Sequence, residues 1–202
     1  MLFAYNKRFD EALKRGQVYF PGESIKKFGL QVANIEPVMV ADREDRFEFG
    51  EVIALDGDGR ARKIAENDAA TALYGIVHRN ATATYSVLDE QIFGMAPRLT
   101  LSVFRGGRQG VISAPVQNIV NFDGDTNPEV PVALGGQVFV RVKPNTTNTA
   151  LPIGGIETAD SDGECVAWTG VTFDEPVSFP FKEERYTTAA GATTAVAGIN
   201  LG

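Results

Sequence analysis

Apolar and polar residues alternate along this chain in short runs. Leu99, Leu101 and Val103 share one side of an extended segment, with Thr100 and Ser102 opposite. Val138, Val140 and Val142 repeat the arrangement, with Gln137 and Arg141 facing the other way and Phe139 between them, and Val177, Phe179 and Phe181 do so again. Alternation with period two gives a strand one face to bury. Between the runs stand Asp56-Gly-Asp-Gly59, Gly106-Gly-Arg-Gln-Gly110, Asp123-Gly-Asp125, Gly135-Gly136 and Asp160-Ser-Asp-Gly163. Their Asp-Gly and Gly-Gly steps supply the positive-φ positions of tight hairpin turns. The pattern predicts many short antiparallel strands in an all-β barrel or sandwich. Its core is expected to hold Val52, Leu55, Ile76, Leu101, Val103, Val138, Val140, Trp168, Val171 and Phe179, taken from the buried faces and from side chains too large to leave in water.

Helical periodicity is confined to two places. Phe9, Ala12 and Leu13 lie at helical spacing within residues 5–15 with Gly16 as the stop, and an Ala-rich stretch runs from Ala65 to Ala72 before Tyr74-Gly-Ile-Val77 returns to strand. Residues 17–48, with Pro21, Pro37 and the charged run Asp42-Arg-Glu-Asp-Arg46, read as an extended excursion holding a strand around Val38 to Val40. Residues 143–150 form a polar loop.

The two ends read differently from the body. Leu2, Phe3, Tyr5 and Phe9 make an aromatic-rich strip on a segment too short to fold alone, and beyond Tyr186 the tail is mostly Ala, Thr and Gly. Ordering such a tail costs on the order of 1 to 2 kcal/mol per residue in backbone entropy, which small side chains do not offset by themselves. The expectation is an N-terminal arm over 1–15, a β-rich body over 16–182 and a C-terminal arm over 183–202, the arms lying across neighbouring subunits. The expected partner contacts are Leu2, Phe3, Tyr5, Phe9, Tyr186, Val196, Ile199 and Leu201.

Composition narrows the chemistry. The 202 residues carry a net charge of −7, with Lys and Arg scattered rather than set in a stripe among aromatics, which argues against direct nucleic-acid binding. The lone Cys165 rules out an intrachain disulfide and suits a reducing compartment. No stretch is apolar for long enough to span a bilayer, so no membrane partner is expected, and the charged start lacks the apolar run of a signal peptide. Asn80-Ala-Thr82 and Asn145-Thr-Thr147 match the glycosylation pattern, which means little without secretion.

No set of residues assembles a reaction. His78 is the only histidine and would be the natural general base, yet it stands where a strand emerges to solvent and needs a nucleophile and an orienting group that the sequence does not single out. Cys165, beside Val166, Ala167 and Trp168, reads as a small buried residue. Asp123, Asp125 and Asn127 begin like a calcium loop, but Pro128 stands where the sharp-turn glycine belongs and Leu134 where the closing glutamate belongs. The Asp56 and Asp160 runs fail the same pattern, and hairpin turns account for all three. Gly106, Gly107 and Gly110 between Arg105 and Arg108 match no phosphate-loop order, so a glycine-rich hairpin end is expected there. No pair of carboxylates is marked out for glycoside hydrolysis. The sequence therefore carries no expected catalytic residue, metal ligand or cofactor.

The runs Phe49-Gly-Glu-Val-Ile-Ala-Leu-Asp56, Gly57-Asp-Gly-Arg60 and Ala72-Leu-Tyr-Gly-Ile-Val77 resemble the head cement or decoration proteins of tailed bacteriophages. Phe104-Arg-Gly-Gly107, Gly135-Gly-Gln-Val-Phe-Val-Arg-Val142 and Gly163-Glu-Cys-Val-Ala-Trp168 fit the same style. The resemblance covers roughly residues 16–182 and departs from the smallest such proteins in its longer termini. It implies a β-barrel-like or β-tulip body without an active site, on the outer face of a capsid in the virion, after assembly in the bacterial host cytoplasm. Its implied partners are the major capsid protein and copies of itself, as a trimer or dimer at local symmetry axes. The alternatives are a tail, baseplate or receptor-binding β module and, more distantly, a carbohydrate-active β-sandwich enzyme.

Overall fold

A computed structural model describes residues 22, 24–25, 34–42, 44–79, 100–106, 110–117, 134–146, 151–160, 163–175, 186–187 and 193–202. The strands are β1 (Ser24–Ile25), β2 (Ile35–Met39), β3 (Val52–Leu55), β4 (Ala61–Arg62), β5 (Leu73–Val77), β6 (Thr100–Phe104), β7 (Val111–Gln117), β8 (Gln137–Arg141), β9 (Ile156–Glu157), β10 (Cys165–Glu175), β11 (Tyr186–Thr187) and β12 (Thr193–Asn200). The chain is all-β, as the alternation predicts. A 3₁₀ turn over Ala70–Ala72 is the one helical element among the described residues.

Two sheets each return on themselves. In the first, β7, β9, β8, β10 and β12 are neighbours in that order and β12 pairs again with β7, closing a ring to which β1 and β11 are appended. In the second, the order β2-β6-β5-β3-β4 is closed by a single parallel bridge from Val40 to Ala61. Closure of the first ring satisfies backbone groups that an open sheet would leave on its edges, whereas the single bridge of the second leaves the outer edge of β2 unpaired among the described residues.

Alternation divides the apolar residues between two cores. Val38, Val40, Phe47, Phe49, Ile53, Ala61, Val77, Leu101 and Val103 pack together within the second ring. Its other face, with Val52, Ala54, Leu73, Ile76 and Phe104, joins one face of the first ring, with Ile112, Ala114, Val116, Val138, Val140, Ile156, Trp168, Phe173, Ala197 and Ile199, in a shared core. On β3 the switch occurs between successive residues, Val52 facing one core and Ile53 the other. Each such side chain contributes about 1.5 to 3 kcal/mol on full burial. Eight of the ten expected core residues are buried; Leu55 is half-buried against the second core, and Phe179 lies outside the described residues.

Backbone bonds tie the rings together. Gly22 donates its N–H to Ser113 O of β7 and accepts from Arg79 N, just past β5, both at 2.7 Å.

Several expectations need correction. Residues 193–200 are not an arm. β12 pairs with β7 from Thr194–Gln117 to Asn200–Val111 and with β10 on its other edge, and Ala197, Gly198 and Ile199 are buried. Ile199 carries the bulk on this strand and lies beside Ile112 of β7 on one edge and Phe173 of β10 on the other. The expected helix over Ala65 to Ala72 is reduced to its last turn. Asn67 adopts φ 64°, and the Asp68 carboxylate takes the Ala65 N–H at 2.8 Å, so the backbone turns locally before a helix can propagate.

Only Asp56–Gly59 of the turn clusters within described residues makes a tight hairpin between paired strands, with Asp56 N–H donating to Arg60 O at 2.9 Å and Gly59 at φ 76°. β6 and β7, which flank the Gly106–Gly110 run, lie in different sheets, and β9 and β10, which flank the Asp160–Gly163 run, do not pair with each other. Gly135-Gly136 bonds to Phe173 of β10. Asp123–Asp125, the 5–15 helix and the Val177–Phe181 run lie outside the described residues.

Candidate functional site

The most buried polar residues sit on the first ring, on the face opposite its apolar core. Val140 lies opposite Ile156 and Val116 beside Ile156, so the next residues along, Arg141, Glu157 and Gln117, share the other face. Arg141 Nε donates to Glu157 Oε1 at 2.5 Å, and its Nη1 donates to Glu164 Oε2. Gln117 Nε2 donates to the same Glu157 oxygen at 3.0 Å and to Pro152 O at 3.2 Å, and Asn145 Nδ2 donates to Glu164 Oε2 at 3.1 Å. Arg141 and Glu157 are 0% and 1% exposed. Burial alone would depress the Arg141 pKa; its hydrogen bonds to Glu157 and Glu164 outweigh that and raise it. Gly155 makes the packing possible, since a Cβ there would meet the Gln117 amide at 2.1 Å.

Charge pairs also decorate the second ring. Arg62 reaches Asp68 through two bonds of 2.7 and 3.0 Å, which hold the Asp68 carboxyl below the usual range. Lys63 Nζ donates to both Glu51 oxygens at 2.5 and 2.7 Å and lies 4.6 Å from the centre of the Phe47 ring. Burial raises the Glu51 pKa, against the lowering by Lys63. Tyr74 Oη donates to Glu36 Oε1 at 2.6 Å, which with burial raises the phenol pKa, and Arg105 stacks 3.6 Å over the Tyr74 ring. In every cluster a carboxylate is engaged by a cation or a phenol. The Arg141–Glu157 pair joins β8 to β9, Lys63–Glu51 joins the residues that follow β4 and precede β3, and Arg62–Asp68 holds the loop after β4.

The residues weighed for chemistry fall as follows. His78 is half-buried, its backbone N–H donates to Ser102 O at 2.7 Å, and loss of water around the ring lowers its pKa. Cys165 is buried on β10. Asp56 Oδ1 accepts from the Asp58 and Arg60 N–H groups, and Asp160 Oδ1 from those of Gly163 and Cys165, so both side chains serve as turn caps. Among the described residues no three His, Cys, Asp or Glu side chains cluster as metal ligands, and no helix is long and apolar enough to cross a membrane.

Of the expected contact residues, Ile199 is fully buried in the chain's own core and Leu201 is half-buried against it, which removes Ile199 as a partner contact. Tyr186 and Val196 stand in β11 and β12; Leu2, Phe3, Tyr5 and Phe9 lie outside the described residues.

Among the described residues the exposed large apolar side chains are Leu134, before β8, and Ile35 and Met39, which are 40% and 64% exposed with exposed Pro37 between them on the same face of β2. Sequence reasoning placed a strand near there but not its outward face. The signal for an outer position was Pro37, since proline within a sheet belongs on edge strands. The Arg141 hub carried no such signal, because a charged residue on the polar side of an alternating run reads as solvent-facing.

Comparison with solved structures gives a likeness of fold. A chain of the solved capsid of Myoviridae phage XM1 superposes with a TM-score of 0.53 at 15% identity, covering 92% of this chain and 92% of that one. At that identity the likeness is one of fold. No family model and no curated protein matches the sequence.

Proposed function

We propose that the chain is a structural component of a tailed-phage virion that binds the outer face of the head and cements adjacent major capsid protein subunits. The observation that carries this reading is the shared fold, end to end, with a chain of a phage capsid. It adds to the motif resemblance found independently in the sequence. The clusters of the described residues support a rigid binding body rather than an enzyme, because their carboxylates are each held by a cation. A body of this kind would act by adding buried area across subunit boundaries, which stabilises the assembled shell by mass action.

The test is quantitative mass spectrometry of heads and tails separated from purified particles. The proposal expects the chain in the head fraction at a fixed ratio to the major capsid protein. Recovery with tails alone would overturn it in favour of a tail or receptor-binding module.

A further inference from the structure

Every described strand longer than two residues has a neighbour on both edges, except β2. Its free edge can be assigned residue by residue. Arg105 N–H donates to Asn34 O, and stepping by two along the ladder turns the backbone groups of Glu36 and Val38 towards β6. Those of Ile35, Pro37 and Met39 therefore point the other way. Two observations agree. Ser102, the partner of Pro37, gives its carbonyl to His78 N–H on the β5 side, and Ala41 N–H, two residues beyond Met39, bonds outward to Ala61 O at 2.8 Å. Between Ile35 and Met39 no described residue pairs with this edge.

A five-residue edge that no described residue pairs, flanked by exposed Ile35 and Met39, is a template for strand addition. A second copy would present the same edge. In the two-fold antiparallel pairing, Ile35 of one copy exchanges two bonds with Met39 of the other, and Pro37 faces Pro37 at the centre. Proline has no N–H, so the central pair would lose both its bonds and set two carbonyls and two rings against each other. Within its own ladder Pro37 removes nothing, since its missing donor lies on the unpaired side.

We infer that the free edge of β2 is a latent self-association edge for a second copy of this chain, and that Pro37 holds it shut. This does not depend on which larger assembly the chain joins. The test is Pro37→Val, which restores the donor on a strand-favouring residue, followed by sedimentation equilibrium over a dilution series. The weight-average mass should rise to twice that of the wild type, with wild-type circular dichroism at high dilution. Pro37→Thr is read in the same way should the valine variant fail to fold. Charge placement then tests the register. Adding Ile35→Lys and Met39→Lys to Pro37→Val sets like charges opposite and should return the mass to the wild-type value, whereas Ile35→Lys with Met39→Glu should keep the doubled mass. Folded Pro37 variants that keep the wild-type mass throughout the series would overturn the inference, as would association that treats the two charge combinations alike.

Discussion

Asn67 donates its backbone N–H to the carbonyl of Val142 at 2.8 Å, joining the loop after β4 in one ring to the end of β8 in the other. It does so from φ 64°, a conformation that asparagine tolerates and β-branched residues resist. Asn67→Val should therefore lose ~1–2 kcal/mol of stability, and Asn67→Gly should lose far less. Urea midpoints for the two variants check this; equal losses would show that the backbone conformation at this joint is not what matters.

The Arg62–Asp68 pair gives the same loop a pH dependence of known sign. Asp68 has its pKa lowered, first by its hydrogen bonds from Arg62 and then by that from Ala65 N–H. A lowered carboxylate pKa stabilises the fold above the unfolded value of about 3.9, and that stability is lost as pH falls through the lower folded value. Asp68→Asn should melt below wild type at neutral pH, and the gap should close on acidification. A gap that widened in acid would contradict the assignment.

The Arg141 hub should behave as a buried ion pair. Arg141→Met leaves Glu157 buried without its cation and should cost about 3 to 5 kcal/mol, and Glu157→Leu should cost less, because Arg141 keeps its bond to Glu164. The double variant should recover part of that loss, because both charges leave together. A double-mutant cycle in urea measures the coupling; strictly additive losses would mean that the two residues act independently.

β12 makes the C-terminal segment part of the fold. Ending the chain at residue 192 removes the strand paired with β7 from Thr194 to Asn200 and opens the first ring. The truncated chain should lose its cooperative melting transition and its near-ultraviolet circular dichroism. Retention of both would mean that the ring holds without its closing strand.

The all-β class and most of the core were legible because alternation is local: Leu101, Val103, Val138 and Val140 announce their faces within a few residues. Partners across the sheets were not. The Gly135-Gly136 step has turn chemistry, yet its bonds go to Phe173 of β10, far along the chain. The tail was misjudged for the same reason, because Ala197 and Gly198 are poor core formers taken alone and good ones opposite Ala114, Ser113 and the Ile112–Ile199–Phe173 contacts. The Arg141–Glu157–Gln117 hub stayed hidden because its burial depends on residues from β7, β8 and β9 meeting, together with the close approach of Gly155.

If this chain cements a phage head from outside, as we propose, a cryo-EM reconstruction of intact particles that carry it should show two-ring β density on the outer surface of the capsid, seated across boundaries between major capsid protein subunits. Heads without that density, or the same density found only in the tail, would contradict the proposal.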